Sequence, residues 1–597
     1  MRSPLLRITT ALLLLCAPWS TGTACRDDAQ RGTVPTATLQ SDAEVPLPSD
    51  AANDASNIDV PEGGVPAVDC TPYQQIEACA LRTSPGATKN ATGLSWDDPL
   101  DLQTALDRTA CGCQVWLAAG TYLPTRLQRP DDPRTRAFQL QPDAHLLGGF
   151  AGDETTVEQR DPTQHSTILS GDLGEATVRE DNAYHVVIGA DGAQLDGLTI
   201  RDGQADGFNE GQIVGAGLFN LNASVTLQGV HLTDNTAGVG AGIYNDGASN
   251  PQLYDCILTR NIADTGGGLY VGGASNTHIE RTRFTDNVAI FVGGAIAQGA
   301  GTLQLVDSHF AGNRGDAGGA ITLSGGSARL TRCWFEANWA GLFGGALMVR
   351  DGASATVESS VLCSNNSVGH GGAVLVWSAA VQLSGVTVAS NSATFGGALL
   401  IKDQSQVTVT DGIFWANTDD AMELFRLEGS ANTLSIANSL VQDPATDAGS
   451  LAAGNLTADP LLLNIPTQTR FTEREGTPTE LRVADASEFS VGDRLELGDD
   501  DVERTVTALD QQRVTFTPAL TANTKRFLRV DSWPPSAQSL VLDLHLDTAS
   551  PAIDRGSTTA PLLDFFGEAR VDIPAVGNDC EDAGCSPADL GGIETLP

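Results

Sequence analysis

Apolar residues recur through the middle of the chain with a period of 25 to 27 residues. Within one period they are two residues apart or separated by odd steps at turns, and they do not follow the 3.6-residue spacing of a helix. This pattern predicts short β-strands. The apolar positions of successive periods align in three columns: Leu227, Leu253, Ile279, Leu305, Leu330, Val357, Leu383 and Val409; Leu232, Leu258, Phe284, Phe310, Phe335, Leu362, Val388 and Phe414; and Leu218, Ile243, Leu269, Ile296, Ile321, Leu347, Val374 and Leu399.

A glycine-rich phrase and an asparagine mark the turns of each period. Glycine permits backbone conformations that other residues rarely adopt and lets neighbouring coils approach closely. An inward-turned asparagine can hydrogen-bond the coils above and below it, so that buried turn amides are not left unpaired. The first glycines are Gly215, Gly240, Gly266, Gly293, Gly318, Gly344, Gly371 and Gly396, and the predicted asparagine ladder is Asn235, Asn261, Asn287, Asn313, Asn338, Asn365, Asn391 and Asn417.

A fixed period of this length is typical of a solenoid, in which no repeat buries its apolar face alone. We therefore predict an all-β protein, a right-handed parallel β-helix with about 26 residues per coil. It spans residues 67–465, with the clearest repeats at 215–417. The segment Leu100 to Ala110 predicts an amphipathic helix that covers the open edge of the first coil.

The two ends of the chain predict different roles. Residues 1–24 carry Arg2, Arg7 and an apolar run, as in a secretory signal peptide. Cleavage after residue 24 would leave Cys25 first, where either lipid attachment or an incidental thiol is expected. Residues 25–66 are polar and predict a disordered tether, and residues 535–597 form a closing segment.

Between these parts, residues 466–534 predict a small inserted β-domain. Short alternating runs around Leu481, Leu495, Val506 and Val514 are separated by acidic turns. The turn at Asp499–Asp501 could hold calcium, and a plain solvated turn is the alternative. No other cofactor and no metal site is predicted.

The positions of the cysteines indicate disulfide bonds at both ends of the fold. An exported protein can form disulfides, and the candidates are Cys70, Cys79, Cys111, Cys113, Cys580 and Cys585, whose pairing stays open. Cys256 and Cys333 occupy repeat positions, so we expect them to be buried and free.

The chain has a net charge of −40 and contains three lysines, Lys89, Lys402 and Lys525. So acidic a surface excludes the basic footprint that nucleic-acid binding needs.

The repeats Phe284-Thr285-Asp286-Asn287, Phe310-Ala311-Gly312-Asn313, Phe335-Glu336-Ala337-Asn338 and Phe414-Trp415-Ala416-Asn417, interleaved with Gly-Gly-Ala-Ile/Leu/Val, resemble those of polymorphic outer-membrane proteins. Ser550-Pro551-Ala552-Ile553-Asp554-Arg555-Gly556 is similar to a choice-of-anchor segment. The resemblance implies export to the outer membrane, the cell surface or the medium. The β-barrel that ends those proteins has no counterpart in this sequence, so we expect no autotransporter, and the family's adhesin role carries over only weakly.

Two classes of function remain open. In the first, Phe219, Tyr244 and Tyr270, one coil apart and facing outward, form a strip for sugar rings; the alternative is that the loop between Gly203 and Val214 packs over them. In the second, the protein is a pectate-lyase-like polysaccharide lyase or hydrolase that acts on acidic polysaccharide, for which Asp234, Arg260 and Asp286, with Arg283 nearby, are the outward charges.

We predict the first class, a surface-associated binding, adhesion or structural component without catalytic residues. Its partner is a polysaccharide or another cell-surface component, and its only membrane contact is a lipid anchor at Cys25.

Overall fold

The computed structural model describes residues 79–109, 112–175, 178–419, 424–442 and 455–457. Farther along it describes the segments 462–464, 468–473, 480–482, 489–497, 504–510, 513–519, 527–533 and 543–546. The predicted signal peptide and tether lie outside these ranges, as does the closing segment apart from residues 543–546. Cys25, Cys70, Cys111, Cys580, Cys585 and the turn at 499–501 also lie outside them.

Four parallel sheets, which we call A to D, run along the repeats, and each complete coil adds one strand to each sheet in the order C, A, B, D. Sheet A contains Ala80–Thr88, Gln114–Ala118, His145–Phe150, Gln194–Asp196, Thr226–Gln228, Gln252–Tyr254, Asn276–Glu280, Thr302–Val306, Ser327–Thr331, Ser354–Glu358, Ala380–Ser384, Gln406–Thr410 and Thr433–Ala437. Sheet B contains Gly120–Tyr122, Thr167–Ser170, Thr199–Arg201, His231–Thr233, Ile257–Thr259, Arg283–Thr285, His309–Ala311, Trp334–Glu336, Val361–Cys363, Thr387–Ala389, Ile413–Trp415 and Leu440–Val441.

Sheets C and D flank the glycine turns. Sheet C contains Phe138–Gln139, Val187–Ile188, Leu218–Leu221, Ile243–Asp246, Leu269–Val271, Ile296–Gln298, Ile321–Leu323, Leu347–Arg350, Val374–Trp377, Leu399–Lys402 and Phe425–Glu428. Sheet D contains Gln204–Ala205, Thr236–Val239, Ile262–Thr265, Val288–Val292, Arg314–Ala317, Trp339–Phe343, Asn366–His370, Ser392–Phe395 and Thr418–Asp419. The prediction of an all-β parallel β-helix with about 26 residues per coil is confirmed.

The core of the β-helix is the stack of the three apolar columns. Leu227, Leu232 and Leu218 belong to one coil, and each pairs in register with its counterpart in the next coil. All three side chains are at most 1% exposed. Because every coil must fill the same interior, each column admits only apolar residues, and burial of this surface is the main stabilising contribution. Phe284, Phe310 and Phe335 stack in this core with ring centroids 4.7 to 4.9 Å apart.

One helix, Leu102–Arg108, lies against the first coils. It begins after Asp101, whose side chain accepts a hydrogen bond from the amide of Thr104, as an N-cap does. It buries Leu102, Gln103, Ala105 and Leu106. The helix lies within the predicted segment. A disulfide joins Cys79 to Cys113 beside it, so these two of the six candidate cysteines are paired.

The strands described between residues 462 and 546 are antiparallel. Six of them form one sheet, in the order Gln468–Glu473, Phe527–Trp533, Arg494–Leu497, Arg504–Asp510, Arg513–Thr517 and Glu480–Arg482. Leu462–Asn464 and Asp543–Leu546 pair separately with each other. The six-stranded sheet falls within the range in which the sequence predicts an inserted β-domain.

Candidate functional site

The structure brings the eight ladder asparagines together along the turn between sheets B and D. From Asn235 to Asn391, each side-chain amide donates to the Oδ1 of the next asparagine at 2.8 to 3.0 Å. Each also donates to a backbone carbonyl of the preceding coil, as Asn313 does to Phe284 at 2.8 Å. The side chains of Asn235 to Asn391 are fully buried, whereas Asn417 is partly exposed. The ladder therefore satisfies buried turn groups and offers no chemistry to a ligand.

Each outward charge considered for lyase chemistry lies one position before a ladder asparagine. These residues are Asp234, Arg260 and Asp286. All three have positive φ, between 53° and 59°. The Arg260 guanidinium binds both carboxylate oxygens of Asp234, at 2.9 and 2.7 Å. Burial alone would raise the pKa of Asp234, but hydrogen bonds from Arg260 and Thr233 lower it below its ordinary value. Arg260 is thus held as the ion-pair partner of Asp234 and is not itself a free base.

Phe219, Tyr244 and Tyr270 stack as predicted for residues one coil apart, but they are not an open strip. Their ring centroids are 5.8 and 5.3 Å apart and the planes are nearly parallel. The three residues are only 5%, 2% and 7% exposed. Burial and, to a smaller extent, the nearby Asp246 carboxylate raise the pKa of Tyr270 to about 12. The prediction of a sugar-binding strip therefore fails for these three residues, because their ring faces stack on one another and the residues are almost fully buried.

The covering residues belong to a second apolar cluster outside the main core, which we call the C–D cluster because most of its members come from sheets C and D. Val214 lies in it and Ile213 packs against it, so the loop after Gly203 contributes to the covering, as the alternative interpretation expected. Arg134 holds this loop through Asp206 at 2.6 Å and the carbonyl of Gln204 at 2.7 Å.

Toward the C-terminal coils the C–D cluster becomes partly exposed and aromatic. The residue before the glycine turn is Phe343, His370 and Phe395 in three successive coils, and these residues pair in register. The His370 ring centroid lies 5.5 Å from that of Phe343 and 5.2 Å from that of Phe395. Trp377, on sheet C, meets Phe343 edge-on at 6.2 Å.

Charged side chains surround these rings. The Lys402 ammonium lies 4.2 Å from the centre of the Trp377 ring, and the Arg426 guanidinium lies 4.6 Å from that of Phe395. Glu428 stands in register with Lys402 on the next strand of sheet C, and its Oε1 lies 2.9 Å from Arg426 Nε and 3.9 Å from His370 Nε2. We call this set the aromatic–cationic patch; its members are Phe343, His370, Trp377, Phe395, Lys402, Arg426 and Glu428.

The electrostatics of the patch favour anions and hydrogen-bonding groups. Lys402 forms no ion pair with any residue in the described part of the chain. Desolvation lowers the pKa of His370, the Glu428 carboxylate opposes this shift, and the Lys402 and Arg426 charges reinforce it. The Nδ1 atom of His370 is buried, and no residue in the described ranges forms a hydrogen bond with it. At neutral pH the patch thus combines two cations, one carboxylate and a neutral imidazole.

The sequence contains a signal for this patch in the residue that precedes the first glycine of each repeat. The position before the first glycine is aliphatic, small or polar from Val214 to Ala317 and is then aromatic or imidazole in three repeats. Considered alone, His370 looks like a turn variant. The aromatic neighbours of His370, Phe343 and Phe395, are recognised only when this position is compared from repeat to repeat.

Metal binding and membrane crossing have no candidate in the described ranges. There, three or more His, Cys, Asp or Glu residues do not gather in a way that could hold an ion. Within the same ranges, every helix is too short or too polar to span a bilayer.

Comparison with known proteins gives a fold and no activity. Residues 176–343 and 215–378 match the family model "Right handed beta helix region", so the β-helix is right-handed. The curated proteins contain no match to the chain. Among solved structures, that of the pectate lyase Pel9A is similar over 89% of this chain and 100% of that chain, with 11% identity and a TM-score of 0.36. A similarity this low carries no argument about function.

Proposed function

We propose that this protein is an exported, surface-associated binding component that holds carbohydrate at the aromatic–cationic patch. The observation that carries the proposal is the partly exposed group of Phe343, Phe395 and Trp377 beside Lys402 and Glu428. Aromatic rings supply flat apolar surface for the faces of sugar rings. The ammonium and carboxylate supply the few directed polar contacts that fix a ligand's orientation.

The acidity of the remaining surface supports a local binding role. The chain is strongly acidic, with 34 Lys and Arg against 74 Asp and Glu, but at physiological salt charges farther apart than about 8 Å are largely screened. Lys402, held over Trp377, can therefore attract a nearby carboxylate or hydroxyl group although the protein as a whole is acidic.

A glycan-binding screen tests the proposal, with Trp377→Ala as the key variant. Trp339→Ala is the matched control, because Arg314 lies 4.1 Å from the Trp339 ring much as Lys402 lies against Trp377. Trp339 begins the strand that Phe343 ends. We expect wild type and Trp339→Ala to bind the same glycans and Trp377→Ala to lose at least tenfold in affinity. Equal binding by all three proteins would refute the patch as the site.

The same screen addresses the lyase alternative. Each acidic polysaccharide is also incubated with the protein and calcium, and new unsaturated or reducing ends are measured. Turnover that disappears in Asp234→Ala or Asp286→Ala would replace the binding proposal with an enzymatic one.

We further propose that Cys25 carries a lipid that holds the protein at a membrane. The polar residues 25–66 would serve as a spacer between the membrane and the β-helix. A fatty-acid probe should label the wild type and fail to label Cys25→Ser. Recovery of the wild type wholly in the medium with a free amine at Cys25 would show that the protein is secreted without an anchor.

A further inference from the structure

A cavity of about 540 Å³ lies on the outer face of sheet B, away from the aromatic–cationic patch. Its lining spans three successive coils and includes Arg281, Arg283, His309, Arg332 and Trp334. Three arginines and an indole gather here in a chain with a net charge of −40. We call this cavity the sheet-B groove.

Two of the three arginines are already neutralised by partners in the preceding coil. Arg281 binds Asp255 at 2.7 and 3.0 Å and also contacts Glu280. Arg332 binds Asp307 at 2.6 and 2.8 Å. These pairs connect turn to turn along the edge of sheet B, so they help to fix the wall of the groove and leave little charge for a ligand.

Arg283 differs from both. Its side chain is exposed and makes no ion pair or hydrogen bond with the residues that the structure describes. It stands in register with His309 and then Trp334 on the next two strands. The three side chains therefore form a column with a spacing of about 4.8 Å per coil. A guanidinium without a partner in such a column can receive a planar anion through two parallel hydrogen bonds.

The other end of the column is held in place by a carboxylate. The Trp334 indole N–H donates to Glu336 Oε2 at 2.9 Å, and His309 Nε2 lies 3.3 Å from Glu336 Oε1. Glu336 thereby fixes the ring of Trp334 and the imidazole of His309 before any ligand arrives. Such preorganisation reduces the ordering cost of binding.

We propose that the sheet-B groove is a second binding site, which takes a short acidic oligosaccharide. Arg283 receives the carboxylate or sulfate of one sugar unit, and Trp334 packs against another unit farther along the column. A short oligosaccharide fits better than nucleic acid, because among the described residues the groove offers one guanidinium without a partner, whereas nucleic-acid binding needs several cations along the phosphate backbone. The ligand would lie along the axis of the β-helix, because Arg283, His309 and Trp334 follow that direction.

Arg283→Gln tests this site, and Arg260→Gln is a matched control. Both changes remove one exposed arginine charge from neighbouring coils, but Arg260 is already bound to Asp234. With a short oligogalacturonate as the probe, measured by calorimetry, Arg283→Gln should weaken binding about tenfold or more. Arg260→Gln should bind as the wild type does, and Arg283→Lys should recover only part of the loss, because an ammonium lacks the planar fork.

Further probes show whether binding depends on the anionic group or on the sugar, and whether it takes place at the sheet-B groove or at the aromatic–cationic patch. A sulfated oligosaccharide should behave like the oligogalacturonate, whereas a neutral oligosaccharide of the same length should be insensitive to Arg283→Gln. If Trp377→Ala abolishes oligogalacturonate binding and Arg283→Gln does not, the groove proposal is wrong and the patch proposal survives. If Arg283→Gln alone abolishes binding of acidic and neutral glycans alike, the patch proposal is wrong instead. No binding of either acidic probe by the wild type would refute the groove.

Discussion

Replacing Asn313 by alanine tests the ladder at its centre. The Asn313 side chain accepts hydrogen bonds from the backbone amide and the side-chain amide of Asn287, at 3.1 and 3.0 Å. It donates to the Phe284 carbonyl at 2.8 Å and to Asn338 Oδ1 at 3.0 Å. Asn338 Oδ1 keeps a second donor, the backbone amide of Asn313, which the substitution does not remove.

The decrease in the free energy of unfolding caused by Asn313→Ala can be estimated from these contacts. Two buried donors on Asn287 and one carbonyl, that of Phe284, lose a partner in a site that is closed to water. At about 1 kcal/mol for each group the total is about 3 kcal/mol, and relaxation or entry of a water reduces it toward about 1 kcal/mol. His309→Ala, one strand earlier on the outer face, should cost under about 0.5 kcal/mol because its contact with Glu336 is partly exposed.

Urea unfolding followed by tryptophan fluorescence gives the two free energies, and hydrogen exchange at the Asn287 amide gives the local effect. Exchange at that amide should accelerate strongly in Asn313→Ala and stay unchanged in His309→Ala. Equal shifts of the unfolding midpoint in the two variants would show that the assignment of inward and outward positions is wrong.

The remaining predictions concern the ends and the titratable core. Replacing Cys113 by serine should destabilise the N-terminal coils by about 3–4 kcal/mol in urea unfolding, since the bond to Cys79 spans 34 residues. Desolvation lowers the pKa of His185, because burial disfavours the charged imidazolium. The contribution of His185 to stability is therefore present above the ordinary histidine pKa and is lost as pH falls through and below that value. Between about pH 7.5 and 5.5, the unfolding midpoint of His185→Gln should fall less than that of the wild type. Burial raises the pKa of Cys256 and Cys333 to about 12, so the native protein should leave both thiols unmodified by iodoacetamide at about pH 8, and labelling should require unfolding.

Much of the fold follows from the sequence because the interior imposes the same demand on every coil. Positions such as Leu305 and Phe310 must be apolar in each repeat, and an asparagine such as Asn313 meets an identical residue above and below it. A constraint repeated eight times is visible without any knowledge of tertiary contacts.

The candidate sites depend on contacts that are not repeated. Whether Tyr244 is exposed depends on which side chains cover the outer face of sheet C, and no periodicity records that. The patch unites Phe343 and Phe395 of sheet D with Trp377 of sheet C, which meet only where those two sheets pack together. The pairing of Arg332 with Asp307, in contrast, could be predicted, because opposite charges stand one period apart at equivalent turn positions.

The identity of the ladder residue from coil to coil has a consequence for how such a gene can change. A duplication of one period would insert an extra coil whose asparagine finds the same two neighbours, and a deletion of one period would rejoin the remaining coils equally well. Length can thus vary in whole coils while the two ends stay intact. An insertion of any other length would place a different residue opposite Asn313 and would have to be carried as a surface loop, such as the one after Gly203.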